Sequence, residues 1–483
     1  MKQNLLYVVD EANLDAKQAA LAQQILPDNV EAVLAGVPGD VDKAACYNYL
    51  QSEYKADFMV YISGEFTELR EDMTAKLLEA FAGNSEIGLL GLHGTNYFSF
   101  DLAHWRNDLA EGSAGCVLES KLLQSRVIAV RNDMPWQENT EMEDGLLFAG
   151  HALDMQQHGY KAGVLAHSGE WLAGERFPAS YSSEALQRFR ALYGRWLYPL
   201  VSILIPTYNR KEYFSIAFQS VLKQDYPNLE ILVSDDGSQD DTEKYIQPYL
   251  QDKDLQVIYE HHPHFTFVEN WQWLLEHCQG EYYNFLMDDD FFAPNKISRM
   301  VDIYQLYPNV TLVTSYRQLV DGAGNKLEDV RTTTPIVEND TIISGRAIIR
   351  EVFKIFANFI GEPTTVLQPG FAKEAMRRFI AKDTCLIDLE TWVHLLRQGD
   401  MAYLREPLSF FRLHPDQDQR LLSRKIDAIG SWVRLFMEYT STEEYMPYTR
   451  SFEMLKNIIV PWVIDSIAGV ARDVRALEKG EEQ

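Results

Sequence analysis

Three consecutive aspartates, Asp288, Asp289 and Asp290, follow the apolar run Phe285-Leu-Met287. Packed together they repel one another, so the arrangement makes sense chiefly where a divalent cation holds them. Mg2+ and Mn2+ prefer oxygen ligands, and Mg2+ typically takes one or two carboxylates plus substrate phosphate oxygens. Alternate residues of a strand share a face and neighbours oppose, so a turn beginning here would re-aim the carboxylates towards one ion. About eighty residues earlier, Val201-Ser-Ile-Leu-Ile breaks in the same way into Pro206-Thr-Tyr-Asn-Arg210. Between the two lies Asp235-Asp-Gly-Ser238, whose carboxylates can accept hydrogen bonds from a base N–H or ribose hydroxyls. Gly237 permits a tight turn there, and Asp241 or Thr242 can cap the next helix. A solvated acidic loop and a capped helix after an acidic turn are the plainer readings of these segments. A metal beside a nucleotide pocket points to chemistry on a diphosphate.

The elements that must position these groups alternate. Strands are expected over 201–205, 229–234, 257–260, 282–287 and 311–320, with helices over 211–224, 241–250 and 268–278. This βαβαβ rhythm predicts a doubly wound, mainly parallel sheet, whose carboxyl edge is where ligands bind. Proline at 206 is expected to end its strand's hydrogen bonding and present the polar groups that follow.

Taken together, Pro206-Thr-Tyr-Asn-Arg210, Asp235-Asp-Gly-Ser238, Asn270 on a helix before Gly280-Glu-Tyr282, and Asp288-Asp-Asp290 resemble the inverting family-2 glycosyltransferases of the GT-A fold, over about residues 200–420. The resemblance implies a nucleotide-sugar donor, a UDP- or dTDP-sugar, and Mg2+ or Mn2+. It puts Pro206, Thr207, Asn209, Arg210, Asp235, Asp236, Asn270 and Asp288 on the donor side. It makes Asp288, Asp289 and Asp290 the family's DxD-type metal and diphosphate motif, with Asp288 and Asp290 the favoured metal pair. Leu386-Ile-Asp-Leu-Glu-Thr-Trp392 resembles the family's Glu-Asp motif, with Ile387 in place of the usual first acid and Asp388 at the position of the catalytic base. A carboxylate suits that role because it can accept the acceptor hydroxyl's proton as the new C–O bond forms; a carboxylate capping a long helix is the structural alternative. Gly361-Glu-Pro-Thr364 looks like the acceptor-side loop, and Tyr403–Gln417 like the closing strand and Arg-x-His loop, with His414 a candidate metal ligand. His261-His-Pro-His264 suits a loop better than a metal site.

The first half carries a fainter likeness. Lys55–Glu65 overlays Gln279–Asp289 without a gap, but Asp288 meets Gly64 and Asp290 meets Phe66. A degenerate GT-A-like domain is expected over 1–183, followed by a joining helix over 184–199, the α/β catalytic domain over 200–420 and a helical C-terminal extension over 421–483. Ile426, Ile429, Val433 and Phe436 form one stripe of that extension, and Glu478–Gln483 is expected to fray.

Lys and Arg total 44 against 71 Asp and Glu, a formal charge of −27, which opposes nucleic-acid or anionic-lipid binding through the general surface. Cys46, Cys116, Cys278 and Cys385 lie far apart, which suits reduced thiols rather than a disulfide or zinc framework. The N-terminus reaches Asp10 before a signal-peptide core builds up. The apolar stretch Ile458–Val470 holds Pro461 and Asp465 and is judged too short to span a bilayer. A cytoplasmic protein is expected, with peripheral membrane contact and homo-oligomerisation left open.

The function expected is sugar transfer, with inversion and metal assistance, to a hydroxyl of a surface glycan, a lipid-linked oligosaccharide or a protein. Two alternatives stand beside it: a two-site glycan polymerase, and a non-catalytic sugar- or protein-binding scaffold. A nucleotidyl transferase is disfavoured because no Gly-rich, lysine-bearing phosphate loop is present.

Overall fold

The computed structural model describes residues 3–106, 109, 115–131, 134–138, 140–166, 170–172, 180–263, 265–382, 385–414, 422–441 and 443–478. They form two units, Met1–Tyr198 and Pro199–Gln483. His264, residues 415–417 of the expected Arg-x-His loop, and the polar end 479–483 lie outside the described residues.

In the second unit, strands that are apolar on both faces build a sheet in the order Val257–His261, Leu229–Asp235, Val201–Thr207, Tyr282–Phe285, Gln368–Pro369. The first four are parallel and the last is antiparallel. Val201, Ile203, Leu204, Ile205, Leu232 and Val233 are buried, as expected of strands covered on both sides. Sequence order reverses between Val201–Thr207 and Tyr282–Phe285, which creates the crevice where such sheets hold ligands. The helix Phe267–His277 packs on this sheet, its start fixed by a capping box between Thr266 and Glu269.

A second sheet is organised by Asp400–Arg412, which pairs in parallel with Val310–Val320 and antiparallel with Phe291–Phe292 and Thr341–Ile343. The register Phe291↔Phe410 brings the end of that strand beside the aspartate triplet.

The C-terminal helices are not a detached extension. In Leu422–Thr440, Leu435, Phe436 and Tyr439 are buried in one core with Phe353 and Trp392. Arg434 of that helix meets Glu390 of the helix Ile387–Leu396 at 2.7 Å. The following helical run passes through Pro461 because a π-helical turn, Leu455–Ile459, directly precedes it. The wider turn accommodates proline's missing N–H and ring. The apolar stretch judged too short to span a bilayer is thus part of a longer helical run: Tyr448–Arg475 is 28 residues, long and apolar enough by length and composition to cross a membrane, and little of it is buried.

The first unit has a sheet in the order Val30–Val37, Gln3–Asp10, Phe58–Ile62, Val127–Arg131, Ile87–Gly91, Lys161–Leu165, Val117–Glu119. Val127–Arg131 and Val117–Glu119 run antiparallel to their neighbours. Phe58 pairs with the unit's first strand as Tyr282 does in the second unit, so the overlay of Lys55–Glu65 on Gln279–Asp289 matches equivalent strand starts. Ser183–Leu197 is part of this unit rather than a joining helix, packing on Asp144–Gln157. Any side chain at Gly150 would meet the Tyr193 ring at 2.8 Å, so glycine is required for that approach.

Glu390 is nearly buried and depends on Arg434, whereas Arg434 is half exposed. Arg434→Ala is expected to cost about 1–3 kcal/mol by leaving a buried carboxylate without its cation, read as a lower midpoint in urea denaturation; Glu390→Gln on the same background should recover part of it.

Candidate active site

The site forms where Val201–Thr207 and Tyr282–Phe285 end side by side. Pro206 does not stop its strand, which continues to Thr207 in register with Asp235. The pairing with Tyr282–Phe285 already ends at Leu204↔Phe285, so proline's missing donor falls where that neighbour has finished. Thr207 Oγ1 donates to Asp288 Oδ2 at 3.0 Å across the crevice, and Arg210 reaches Asp288 at 3.3 Å and Asp289 at 3.5 Å.

The strand before the triplet stops at Phe285, and the Asp290 amide folds back to the Met287 carbonyl at 3.0 Å. The turn expected to re-aim the three carboxylates thus begins directly after Phe285. Asp289 Oδ2 lies 2.9 Å from His414 Nε2. Asp290 is fully buried, its Oδ1 accepting from the Arg412 amide at 3.0 Å. Arg412, itself buried, also donates to the carbonyls of Asp289 and Gly322. Burial first, and then the neighbouring charge of Asp289, pushes the Asp288 carboxyl up to about 7 against the pull of Arg210 and Thr207. The same two causes push Asp290 up.

The nucleoside-side candidates are tied into one another. Asp235 is buried and accepts from the Ser238 amide at 2.8 Å and the Tyr259 hydroxyl at 2.7 Å. The Asp236 amide donates to the Thr207 carbonyl at 2.9 Å. Asn209 adopts a left-handed φ of 50° and bonds Ser238 and Gln239, joining the two loops. Asn270 is buried on its helix, with Oδ1 lacking a hydrogen-bond partner among the described residues. Asn209, Arg210, Lys211, Tyr213, Asp240 and His414 line a cleft of about 530 Å³. His262 bonds Ser234 and stacks on Phe265, so it is a packed loop residue.

Asp388 lies in the first turn of Ile387–Leu396 and is half-buried. Its Oδ1 accepts from the Leu389 amide at 2.7 Å and its Oδ2 from Asn358 Nδ2 at 2.9 Å. Burial pushes this carboxyl up to about 7; the Leu389 amide opposes the rise, Glu362 adds to it and Arg317 offsets it. Arg317 pairs with Glu362 at 3.1 Å, and the Glu362 charge also acts on Asp290. Glu362 thus stands electrostatically between triplet and base candidate. Sequence reasoning missed Arg317, Asn358 and the packing role of Arg412. Arg317 did carry a signal, the one charged residue within the expected strand 311–320; Asn358 carried none.

Among the described residues no three His, Cys, Asp or Glu gather as a metal-ligand set. The protein offers a pair, Asp289 and His414, and one or two protein donors completed by phosphate oxygens is how Mg2+ is commonly held beside nucleotides. The donors present fit such an ion.

The first unit answers the same position differently. The Gly64 amide donates to Asp10 Oδ2 at 2.6 Å, across the ends of the parallel strands Gln3–Asp10 and Phe58–Ile62. Lys43 then bridges Asp10 at 2.7 Å and Asp144 at 2.8 Å, and Ser63 also donates to Asp144. An ammonium is built in where the second unit has clustered acids. Burial alone would raise the Asp10 carboxyl, but the bonds from Lys43 and Gly64 outweigh it and hold it below the usual range.

Comparison with known proteins agrees with this division. Residues 202–355 match the model of Glycosyl transferase family 2, and residues 5–192 that of a Glycosyltransferase like family. The family-2 glycosyltransferase match thus falls within the second unit, and the glycosyltransferase-like match within the first. The chain is 28% identical over 269 residues to an uncharacterized glycosyltransferase of Rickettsia conorii, covering 53% of this chain and 42% of that protein. It is 27% identical over 218 residues to the putative teichuronic acid biosynthesis glycosyltransferase TuaG of Bacillus subtilis, covering 44% of this chain and 79% of that one. It thus spans under half the length of the Rickettsia conorii relative. A solved structure of S. aureus TarS 1-349 in complex with UDP-GlcNAc aligns with TM-score 0.40 and 14% identity, over 53% of this chain and 70% of that one.

Lys43→Met should leave Asp10 and Asp144 facing each other without a cation and destabilise the first unit at pH 7 by about 2–4 kcal/mol. Because the Asp10 carboxyl is depressed in the folded state, its contribution is present above the unfolded pKa and disappears as pH falls through the folded one. The gap between variant and wild type in denaturant melts should therefore close at low pH.

Proposed function

We propose that the second unit transfers a sugar from a nucleoside-diphosphate sugar to an acceptor hydroxyl in one displacement that inverts the anomeric centre. The observation that carries this reading is the pairing, within one unit, of a buried triplet facing Thr207, Arg210 and His414 with a half-buried Asp388 held near pH 7. Asp288, Thr207 and Arg210 bind the donor at the crevice, with Asp235 and Asp236 shaping the nucleoside end through their loop contacts. Asp289 and His414 would hold Mg2+ or Mn2+, which would stabilise negative charge on the diphosphate. Asp388 accepts the acceptor's proton as its oxygen bonds the anomeric carbon, while the bond from that carbon to the diphosphate oxygen breaks and the leaving group takes the electron pair. A carboxyl near 7 suits a base working at neutral pH, since it is both ionised and basic enough to take the proton. The first unit, with Lys43 set between Asp10 and Asp144, serves as a non-catalytic partner domain in this reading.

For the acceptor we favour a growing surface glycan, made on the cytoplasmic side of the membrane. The support is the teichuronic acid role in the name of one relative.

Two measurements test this. A screen of nucleotide sugars by thermal shift should find a donor that raises the midpoint only with Mn2+, because a ligand binding the native state stabilises it; Asp289→Ala should abolish that shift, and a shift independent of metal in both proteins would refute the metal role. Nucleoside-diphosphate release from that donor should fall about 100- to 10,000-fold in Asp388→Asn. In wild type, kcat/KM should drop roughly tenfold per pH unit below about 7, as the base becomes protonated.

A further inference from the structure

We infer that Asn358 is a positioning residue for Asp388, holding the carboxylate by a hydrogen bond whose polarity the surrounding backbone dictates. The inference rests on the reading of Asp388 as the base. It starts from Asn358's own bonds. Its Oδ1 accepts from the Ile360 amide at 3.1 Å and the Gly361 amide at 3.3 Å. An amide side chain has one acceptor end and one donor end. With two backbone donors on the oxygen, the NH2 end must face Asp388, which it reaches at 2.9 Å. The orientation is set by chemistry, not by choice of rotamer.

The residue is also held in place. Phe356, just before it, closes the helix Gly345–Ile355 with a left-handed φ of 53°, turning the chain toward the base helix. Arg317 donates to the Asn358 carbonyl at 3.4 Å, and Trp392, from the helix that carries Asp388, donates to the Gly361 carbonyl at 2.8 Å. Gly361 itself has a φ of 127°, a backbone conformation closed to other residues, and it begins the Gly361-Glu-Pro-Thr364 loop. Asn358 therefore couples the loop's geometry to the direction in which Asp388 points.

The donor end also favours the ionised carboxylate. The charged groups facing Asp388 from neighbouring elements are Glu362 of the loop and Arg317 of Val310–Val320, which are paired with each other. On its own helix, Glu390 is engaged by Arg434. Asn358 is thus the uncharged donor that selects one carboxylate oxygen, leaving Oδ1 to the Leu389 amide.

The test uses the full chain and Asn358→Asp, which keeps the shape and an oxygen for the Ile360 and Gly361 amides but replaces the donor by a second acid. Asn358→Gln serves as the conservative partner. Proteins labelled with 13C-carboxyl aspartate are titrated by NMR, the Asp388 resonance being identified by its loss in Asp388→Asn. The expected result is an Asp388 midpoint at least about one pH unit higher in Asn358→Asp, with partial return in Asn358→Gln. In the nucleoside-diphosphate release assay, kcat should fall about ten- to hundredfold at pH 7 with donor KM unchanged, and part of the loss should return as pH rises. A folded Asn358→Asp protein with the wild-type midpoint and wild-type rate overturns the inference while leaving Asp388 as base. Full turnover by Asp388→Asn overturns both the base assignment and, with it, the role of Asn358.

Discussion

Burying three adjacent carboxylates is the constraint around which the second unit is built. They repel and lose hydration together, so each must find its own partner. Asp288 takes Thr207 and Arg210, Asp289 takes His414, and Asp290 takes the Arg412 amide. Those partners come from the first strand's exit and from a strand more than a hundred residues further along the chain. The pairing of Phe291–Phe292 with Asp400–Arg412 is what closes that distance. Stacking of Phe291 on Phe410 at 4.5 Å and the buried Arg412 guanidinium give this junction apolar weight and polar satisfaction at once.

The first unit shows what the same sheet edge becomes when the acids are not clustered. Gly64 and Glu65 stand where Asp288 and Asp289 stand in the other unit, and Lys43 supplies a fixed positive charge between Asp10 and Asp144. A tethered ammonium satisfies those carboxylates permanently, whereas a divalent ion can come and go with a diphosphate. A cleft of about 390 Å³ in this unit lies away from these strand ends, at the start of Lys161–Leu165, and is lined by Asn96, Glu119, Lys121, Gln156 and Lys161. Two related sheets thus carry opposite electrostatic solutions at equivalent strand ends.

On the base side, helix and loop are fastened to each other before any substrate arrives. Trp392 bonds the Gly361 carbonyl, Asn358 bonds Asp388, and the Leu422–Thr440 helix holds Ile387–Leu396 from behind through Arg434 and Glu390. The C-terminal helices are therefore part of what gives the base helix its position.

Strands and helices of the second unit were legible in the residues because long apolar runs interrupted by turn and cap residues leave few other folds open. The types of the site residues were legible too: acids at strand ends, a proline-led exit, and a carboxylate opening a helix. What local pattern could not reveal was direction. A turn was expected to re-aim the triplet, but local pattern could not show that it would give His414 to Asp289 and the Arg412 amide to Asp290. Pro206 looked like a strand end, and only its neighbour's register shows why the strand continues. Ile458–Val470 looked too short to span a bilayer, and only the π-helical turn before Pro461 shows how the helix runs on through it. Asn358 and Arg317 became meaningful only once separate elements were packed together. The sequence by itself determined which chemical groups this protein has and which strands deliver them, because periodicity and turn chemistry are local. The tertiary structure alone decided which groups face one another, because hydrogen-bond partners and shared burial are settled between segments distant in the chain.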